Sequence, residues 1–103
     1  MTDFDTAFKL FLEGAQAKVN AYLQSSGFDW KAYLGYTDGP KYIRVYKSDH
    51  GQRSLYCFID KSNGNVLKGK GWKAPERKNP RSNIYDADSG MSGVTHHGTT
   101  YLR

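Results

Sequence analysis

Aromatic and basic side chains recur through residues 31–72 at a spacing that suits contact with an unpaired nucleic-acid strand. Four short strands are predicted here, and their turns place the rings and the cations on one face. Bases stack on aromatic rings while Lys and Arg hold phosphates, so we expect this face to bind single-stranded DNA or RNA. The predicted face carries Lys31, Tyr33, Tyr42, Arg44, Tyr46, Tyr56, Phe58, Lys68, Lys70 and Trp72.

Positive charge continues beyond the last predicted strand. The formal net charge is +5, and residues 61–81 combine many lysines and arginines with Glu76 as the only acidic residue. Such a concentration favours an anionic partner approaching from the sheet side. A basic solvated loop that keeps the protein soluble would have the same composition. The candidate phosphate contacts are Arg44, Lys68, Lys70, Lys73, Arg77, Lys78 and Arg81.

The same aromatic face fits other partners. Tyr, Trp and Arg dominate protein interfaces, so the face could instead belong to a module that binds and modulates a host protein. Two copies could pair through it as a homodimer. A long C-terminal arm could also fold back over the rings, because many clustered rings are costly to expose to water.

The predicted face depends on the register of three turns, at residues 37–40, 49–51 and 62–64. The first has Asp-Gly at its centre, and the other two place Gly in the left-handed position of a three-residue loop. A slip of one residue in any of them would send side chains to the opposite face. The predicted pairs are Tyr33 with Arg44, Leu34 with Ile43, Arg44 with Tyr56, Val45 with Leu55, Tyr46 with Ser54, Phe58 with Lys68, and Ile59 with Leu67.

An amphipathic helix is predicted over residues 1–27 to cover the aliphatic face of the sheet. Its apolar residues recur at helical spacing, Thr2 or Asp3 can cap the start, and Gly27 supplies the stop. One helix on one face of a four-stranded antiparallel meander makes a two-layer α+β fold. We predict a single domain over residues 1–103, with the sheet at 30–72 and a long, irregular, basic arm at 73–103 that could add an edge strand at 99–102.

Composition indicates a reducing compartment. Cys57 is the only cysteine, so no internal disulfide forms, and it is predicted on the buried face of a central strand. No stretch is long and apolar enough to span a bilayer, and the N-terminus lacks the pattern of a signal peptide. We therefore expect a cytoplasmic protein without a membrane partner or a cofactor. The small core of a 103-residue chain leaves room for oligomerisation.

Residue types that could catalyse a reaction are poorly arranged. His96 and His97 are adjacent, and neighbours on a strand point to opposite faces. Asp86 and Asp88 are better explained by a polar turn, and a core strand is a poor place to expose the thiolate of Cys57. We predict neither a catalytic site nor a metal site.

Several segments from the second strand onward resemble a recurrent group of small uncharacterised bacteriophage proteins. They are the hairpin formed by residues 56–60 and 63–68, the Trp-Lys-Ala-Pro segment at 72–75, the Asn-Ile-Tyr segment at 83–85 and the Tyr-Leu-Arg ending at 101–103. The resemblance implies a phage product that acts inside a bacterial host, and no established activity comes with it. It also implies that residues 72–86 are a structured part of the domain.

Overall fold

The computed structural model describes residues 3–27, 32–49, 51–72, 74–76, 80–95 and 98–99. Helix α1 comprises Phe4–Ser25. The carboxylate of Asp3 accepts a hydrogen bond from the backbone N–H of Thr6 at 2.8 Å, which caps the helix and lowers the pKa of Asp3. At the other end Gly27 has a φ of +77°, a left-handed conformation that glycine adopts without a steric penalty. The predicted helix and both of its end signals are confirmed.

The strands form one main antiparallel sheet and one small ribbon. The strands are β1 Tyr33–Asp38, β2 Tyr42–Asp49, β3 Gln52–Asp60, β4 Asn65–Leu67, β5 Gly69–Gly71, β6 Ala74–Pro75 and β7 Ser82–Asn83; a 3-10 helix comprises Met91–Gly93. In the main sheet the order is β1-β2-β3-β4-β7, and the ribbon pairs β5 with β6. The fold is therefore α+β, as predicted, but within the described residues the main sheet has five strands instead of four.

Helix α1 covers one face of the sheet, here called the inner face. The face on the other side, where the rings are predicted, is the outer face. Alternation along β2 places Ile43 and Val45 inside, both fully buried. The core between helix and sheet is aliphatic and aromatic, and burial of this surface is the main stabilising contribution to the fold. It contains Ala7, Phe8, Phe11, Ala15, Val19, Ile43, Val45, Tyr56, Cys57, Ile59, Val66, Ile84 and Val94.

The first hairpin keeps the predicted faces although its predicted pairing is wrong. Arg44 pairs with Thr37 instead of Tyr33, a shift of four residues, because the turn closes around Pro40 with the N–H of Gly39 donating to the carbonyl of Tyr42 at 3.0 Å. An even shift leaves every side chain on its face, since strand residues alternate with a period of two. Tyr33 therefore still lies outside.

The second hairpin differs from the prediction in two ways, and their effects on which face each side chain occupies largely cancel. Asp49 pairs with Gln52, so the connection is one residue shorter than predicted, and the register slips by one. A β-bulge then adds a second residue of shift, because Val45 pairs with Cys57 while Tyr46 pairs with Leu55, leaving Tyr56 as the extra residue. The total shift is even, so the residues beyond the bulge return to their predicted faces. Only the residues around the bulge change faces.

The consequence of the bulge is that Tyr56 and Leu55 are exchanged relative to the prediction. Tyr56 belongs to the inner core with 3% of its surface exposed, and its hydroxyl donates to the carbonyl of Thr95 at 2.6 Å. Leu55 lies outside and packs against the backbone of Gly69. The predicted place of Tyr56 on the outer face is wrong.

The third hairpin is also one residue out of the predicted register. Phe58 pairs with Leu67 and Ile59 with Val66, because the loop closes with the N–H of Gly64 donating to the carbonyl of Asp60 at 2.8 Å. Leu67 therefore lies on the outer face beside Phe58, where the prediction placed Lys68. Both Phe58 and Leu67 are buried, so the outer face has a small apolar patch of its own.

The strand predicted to continue to Trp72 is interrupted after Leu67. Strands β5 and β6 pair with each other instead, with Gly69 opposite Pro75 and Gly71 opposite Ala74. The ribbon packs on β3, and the close approach of Leu55 to Gly69 leaves no space for a side chain at that position. This ribbon carries Trp72 onto the outer face.

Residues 80–95 pack on the sheet edge and on α1, away from the rings. Strand β7 pairs with β4, Ile84 and Val94 enter the core, and the ammonium group of Lys18 donates to the carbonyls of Met91 and Val94 at 2.6 and 2.7 Å. This part of the predicted irregular arm is thus ordered and does not cover the outer face. Of the predicted edge strand, Thr99 forms an isolated bridge with Val94, and residues 100–103 lie outside the described part. Among the described residues, no helix has the length and hydrophobicity that membrane crossing needs.

Candidate functional site

A row of stacked rings and guanidinium groups crosses the outer face; we call it the aromatic ladder. Its centre is Arg44, whose guanidinium carbon lies 4.9 Å from the centroid of Trp72 and 5.9 Å from that of Phe58. The Nε of Arg44 also donates to the carbonyl of Trp72 at 2.7 Å. The two distances from the guanidinium carbon to the ring centroids are within the range of cation–π attraction. In order across the face, the ladder comprises Arg53, Tyr46, Trp72, Arg44, Phe58 and Tyr42.

One end of the ladder is set by a glycine on the neighbouring strand. The ring of Tyr46 lies against Gly35, where an added Cβ would come within 2.7 Å of the phenol. The guanidinium carbon of Arg53 covers the ring of Tyr46 at 4.6 Å, and Trp72 lies 6.3 Å away with a tilt of 41°. Strand β1 therefore holds Tyr46 low over the sheet, where it can contact Arg53 and Trp72.

The other end of the ladder is an aromatic pair. Tyr42 and Phe58 pack edge to face, with centroids 6.4 Å apart and ring planes at 80°. This arrangement is favoured by the quadrupoles of the two rings. Phe58 is buried, so it supports its neighbours and offers no open ring face.

Exposure decides which rings a ligand could reach. Trp72 is 40% exposed and Tyr33, beside the ladder on the same face, is 58% exposed. Tyr42 and Tyr46 are half-buried. The accessible aromatic surface therefore belongs mainly to Trp72 and Tyr33, with Tyr42 and Tyr46 contributing less.

The structure brings together most of the predicted aromatic site and removes one member. Trp72, Tyr42, Tyr46, Phe58 and Arg44 share the outer face, as the alternation predicts. Tyr56 is on the other side of the sheet, under α1, and burial raises the pKa of its hydroxyl.

The predicted basic residues are only partly placed. Lys70 is exposed on β5, two residues before Trp72, while Lys68 and Arg81 are half-buried and engaged in interactions within the protein. Lys73, Arg77 and Lys78 lie outside the described residues, as does Lys31.

Two residues of the site were missed by sequence reasoning. Arg53 was not among the predicted site residues, because the register slip and the bulge that bring it to the outer face are invisible in the sequence. Thr37 was placed in a turn, although it pairs with Arg44. Both errors come from the length of a turn, and no composition signal would have revealed either.

A groove opens where the ladder ends at Tyr42. It has a volume of about 340 Å³ and is lined by Thr37, Gly39, Pro40, Lys41, Tyr42, Arg44 and Phe58. A second groove, of about 460 Å³, lies on the far side of Tyr42 and shares Pro40 and Lys41. The first of these, named the Tyr42 groove below, combines apolar walls with a few polar groups, as small-ligand sites do.

Other side chains that could catalyse a reaction or bind a metal have structural roles instead. Asp86 accepts a hydrogen bond from the N–H of Asn83, and Asp88 accepts from the N–H groups of Gly90 and Ser92, so both carboxylates organise the predicted polar turn. Cys57 is fully buried, which raises the pKa of its thiol. Within the described residues, no three His, Cys, Asp or Glu side chains come together as metal ligands would. His96 and His97 are outside that part of the chain.

The fold and the ladder define an α+β protein whose antiparallel sheet carries a helix on one face and a ring-and-guanidinium surface on the other. The chain belongs to a family of unknown function, DUF7717, whose family model matches residues 9–100. Searches of curated proteins and of solved structures found no match.

Proposed function

We propose that this protein binds single-stranded nucleic acid on its outer face without catalysing a reaction. The observation that carries the proposal is the exposed indole of Trp72, held beside the half-buried ring of Tyr46 and against the guanidinium of Arg44. Fixed rings lose little side-chain entropy when a base stacks on them, and each stacked base contributes about 1–3 kcal/mol.

The residues of the ladder would have different roles in binding the strand. Trp72, Tyr46 and Tyr42 offer stacking surface, and Tyr33 extends it along β1. Phe58 supports the platform from below. Because Arg44 and Arg53 lie over rings, they position the platform as well as adding positive charge.

Phosphate contacts are assigned to basic residues near Trp72 in sequence. Among the described residues, Lys70 is the exposed cation closest in sequence to Trp72. Further along the basic run, Lys68, Lys73, Arg77 and Lys78 are proposed to contact the backbone of the strand. Arg81 is left out of the proposed contacts, because it begins the segment that packs on the sheet edge, away from the rings.

The biological setting belongs to the same proposal. The resemblance of the hairpin and of the Trp-Lys-Ala-Pro segment to phage proteins supports a phage product that acts in the cytoplasm of a bacterial host. The proposed partner is single-stranded DNA or RNA. A homodimer that paired through the ladder would compete with this binding, so affinity would fall as protein concentration rises.

Fluorescence anisotropy with labelled oligo-dT and oligo-U at several salt concentrations tests the proposal. We expect binding at low salt, with log affinity falling linearly in log salt by about 0.7 per neutralised phosphate. The triple variant Lys73→Ala, Arg77→Ala, Lys78→Ala should flatten this slope. Trp72→Ala should weaken binding about tenfold while the slope is nearly kept, since stacking releases no counterions. Absence of binding at low salt would refute the proposal.

A protein-interaction module is the second candidate, favoured by one observation. Trp72 is 40% exposed and packs on Arg44, and these two residue types are enriched among interface hot spots. If oligonucleotides do not bind, a host protein that is captured by the wild-type chain and lost with Trp72→Ala would support this alternative.

A further inference from the structure

The Tyr42 groove has the shape and chemistry of a site for one flat ligand. Its volume of about 340 Å³ is at the lower end of the range for small-molecule sites. The ring of Phe58 and the ring of Tyr42 contribute two of its walls at nearly a right angle. Because Phe58 is buried and offers no open ring face, a planar aromatic ligand would stack on the half-buried ring of Tyr42.

Arg44 and Lys41 are the charged groups that line this groove, and the orientation of Arg44 is fixed before any ligand arrives. Its Nε is engaged with the carbonyl of Trp72, and the plane of the group is held by the rings of Trp72 and Phe58. Among the described residues, the two terminal nitrogens of Arg44 have no hydrogen-bond partner. A ligand that presents two acceptors side by side would satisfy both.

We propose that the Tyr42 groove holds one unpaired guanine of the bound strand, with O6 and N7 accepting from the terminal nitrogens of Arg44. This rests on the proposed function and adds a base preference to it. Guanine presents two adjacent acceptors on that edge, whereas adenine pairs its N7 with the N6 donor and pyrimidines lack the edge. The rings of Tyr42 and Phe58 suit a base better than a phosphate, which needs a polar pocket. Lys41, exposed at the groove, would meet a flanking phosphate.

The experiment compares oligo-dT strands of equal length that differ at one central position. The position holds thymine, guanine, adenine, an abasic site, or a guanine whose N7 is replaced by carbon. Guanine should bind about tenfold more tightly than thymine or adenine, and replacement of N7 should remove most of this gain. Equal affinity of all five strands would overturn the inference while leaving the proposed function intact, and failure of every strand to bind would remove both.

Arg44→Leu tests the role of the guanidinium. Leucine has no donor for O6 and N7, whereas lysine could still contact both acceptors, so the guanine preference should disappear in Arg44→Leu. Arg53→Leu is the matched control, because Arg53 stacks on Tyr46 away from the groove; its replacement should lower affinity for all strands alike and preserve the guanine preference. A guanine preference that survives in Arg44→Leu would assign base selection to another residue and overturn the inference. The strand series on the wild-type protein tests the inference even if Arg44→Leu is unstable.

Discussion

Arg44 is bound to Trp72 in two ways: its guanidinium carbon lies 4.9 Å from the centroid of the indole, and its Nε donates to the carbonyl of the same residue at 2.7 Å. The first contact orients the side chain of Trp72 and the second fixes its backbone. Together they tie the tip of the β5–β6 ribbon to the middle of β2. One arginine therefore holds both the side chain and the backbone of the most exposed ring of the ladder.

Arg44→Leu should release this attachment. We expect the free energy of unfolding to fall by about 1 kcal/mol, because an exposed cation–π contact and one hydrogen bond are lost. The emission of Trp72 should shift to longer wavelength as its ring gains contact with water. Urea unfolding and fluorescence in a Trp30→Phe background would measure both effects.

The matched control for this experiment is Arg53→Leu. Arg53 lies over Tyr46 at 4.6 Å and is not in contact with the indole, so its loss should leave the emission of Trp72 nearly unchanged. An equal spectral shift in both variants would mean that the contact with Arg44 does not by itself position the indole of Trp72.

The faces of the central strands could be predicted from the sequence because alternation tolerates some errors in register. Arg44, Tyr46 and Phe58 lie outside as expected, although the pairing of β1 with β2 is shifted by four residues. The helix was equally accessible to prediction, since Asp3 and Gly27 mark its ends. The helix ends depend on the chemistry of single residues, and the strand faces and the apolar stripe of the helix depend on side-chain periods of two and 3.6 residues.

The parts that could not be predicted depend on single residues in turns. The bulge at Tyr56 adds to a slip made in the preceding loop, and neither has a signature in residues 49–56. The break after Leu67 follows from the packing of Leu55 on Gly69, which is a tertiary contact. The resemblance to phage proteins implied structure up to residue 86, but the order of residues 87–95 was hidden, because a few buried side chains such as Val94 anchor a segment that is otherwise polar.

Stability should fall at alkaline pH because of Tyr56 and Cys57. Burial raises the pKa of both groups above their ordinary values of about 10 and 8.5, so the unfolded chain loses these protons first. The unfolded state then binds fewer protons than the folded state, and the free energy of unfolding decreases as pH rises. We expect a constant value up to about pH 8 and, above each ordinary pKa, a loss approaching 1.4 kcal/mol per pH unit for each group.

Chemical denaturation from pH 7 to 11 of single variants would separate the two groups. Cys57→Ala should remove the loss of stability that begins near pH 8.5. Tyr56→Phe should remove the loss of stability that begins near pH 10. Tyr56→Phe also loses the hydrogen bond to Thr95, which lowers stability by about 1 kcal/mol at every pH. Tyr33→Phe is the control, because Tyr33 is 58% exposed and its replacement should preserve the profile. A profile that is unchanged in both core variants would contradict this account.

Lys18 helps to hold residues 80–95 against helix α1, on the side of the sheet opposite the ladder. Its ammonium group donates to the carbonyls of Met91 and Val94 at 2.6 and 2.7 Å, in a part-buried site between α1 and the 3-10 helix. Lys18→Met keeps the length of the side chain but leaves both carbonyls without this donor. Since hydrogen bonds to a charged group contribute about 1.5–3 kcal/mol each, the free energy of unfolding should fall by about 2 kcal/mol or more.

Hydrogen exchange and limited proteolysis should show which part of the protein is destabilised in Lys18→Met. Residues 80–95 should exchange faster and be cleaved sooner in Lys18→Met, while the amides of β2 and β3 stay protected until global unfolding. Lys9→Met is the control on the same helix, because Lys9 is exposed and its replacement should change neither measurement. Oligonucleotide affinity should be the same in both variants, since the ladder is on the far side of the sheet. If Lys18→Met lowered affinity as strongly as Trp72→Ala does, residues 80–95 would have to contribute to the binding surface, and the division between an anchored inner side and an open outer side would be wrong.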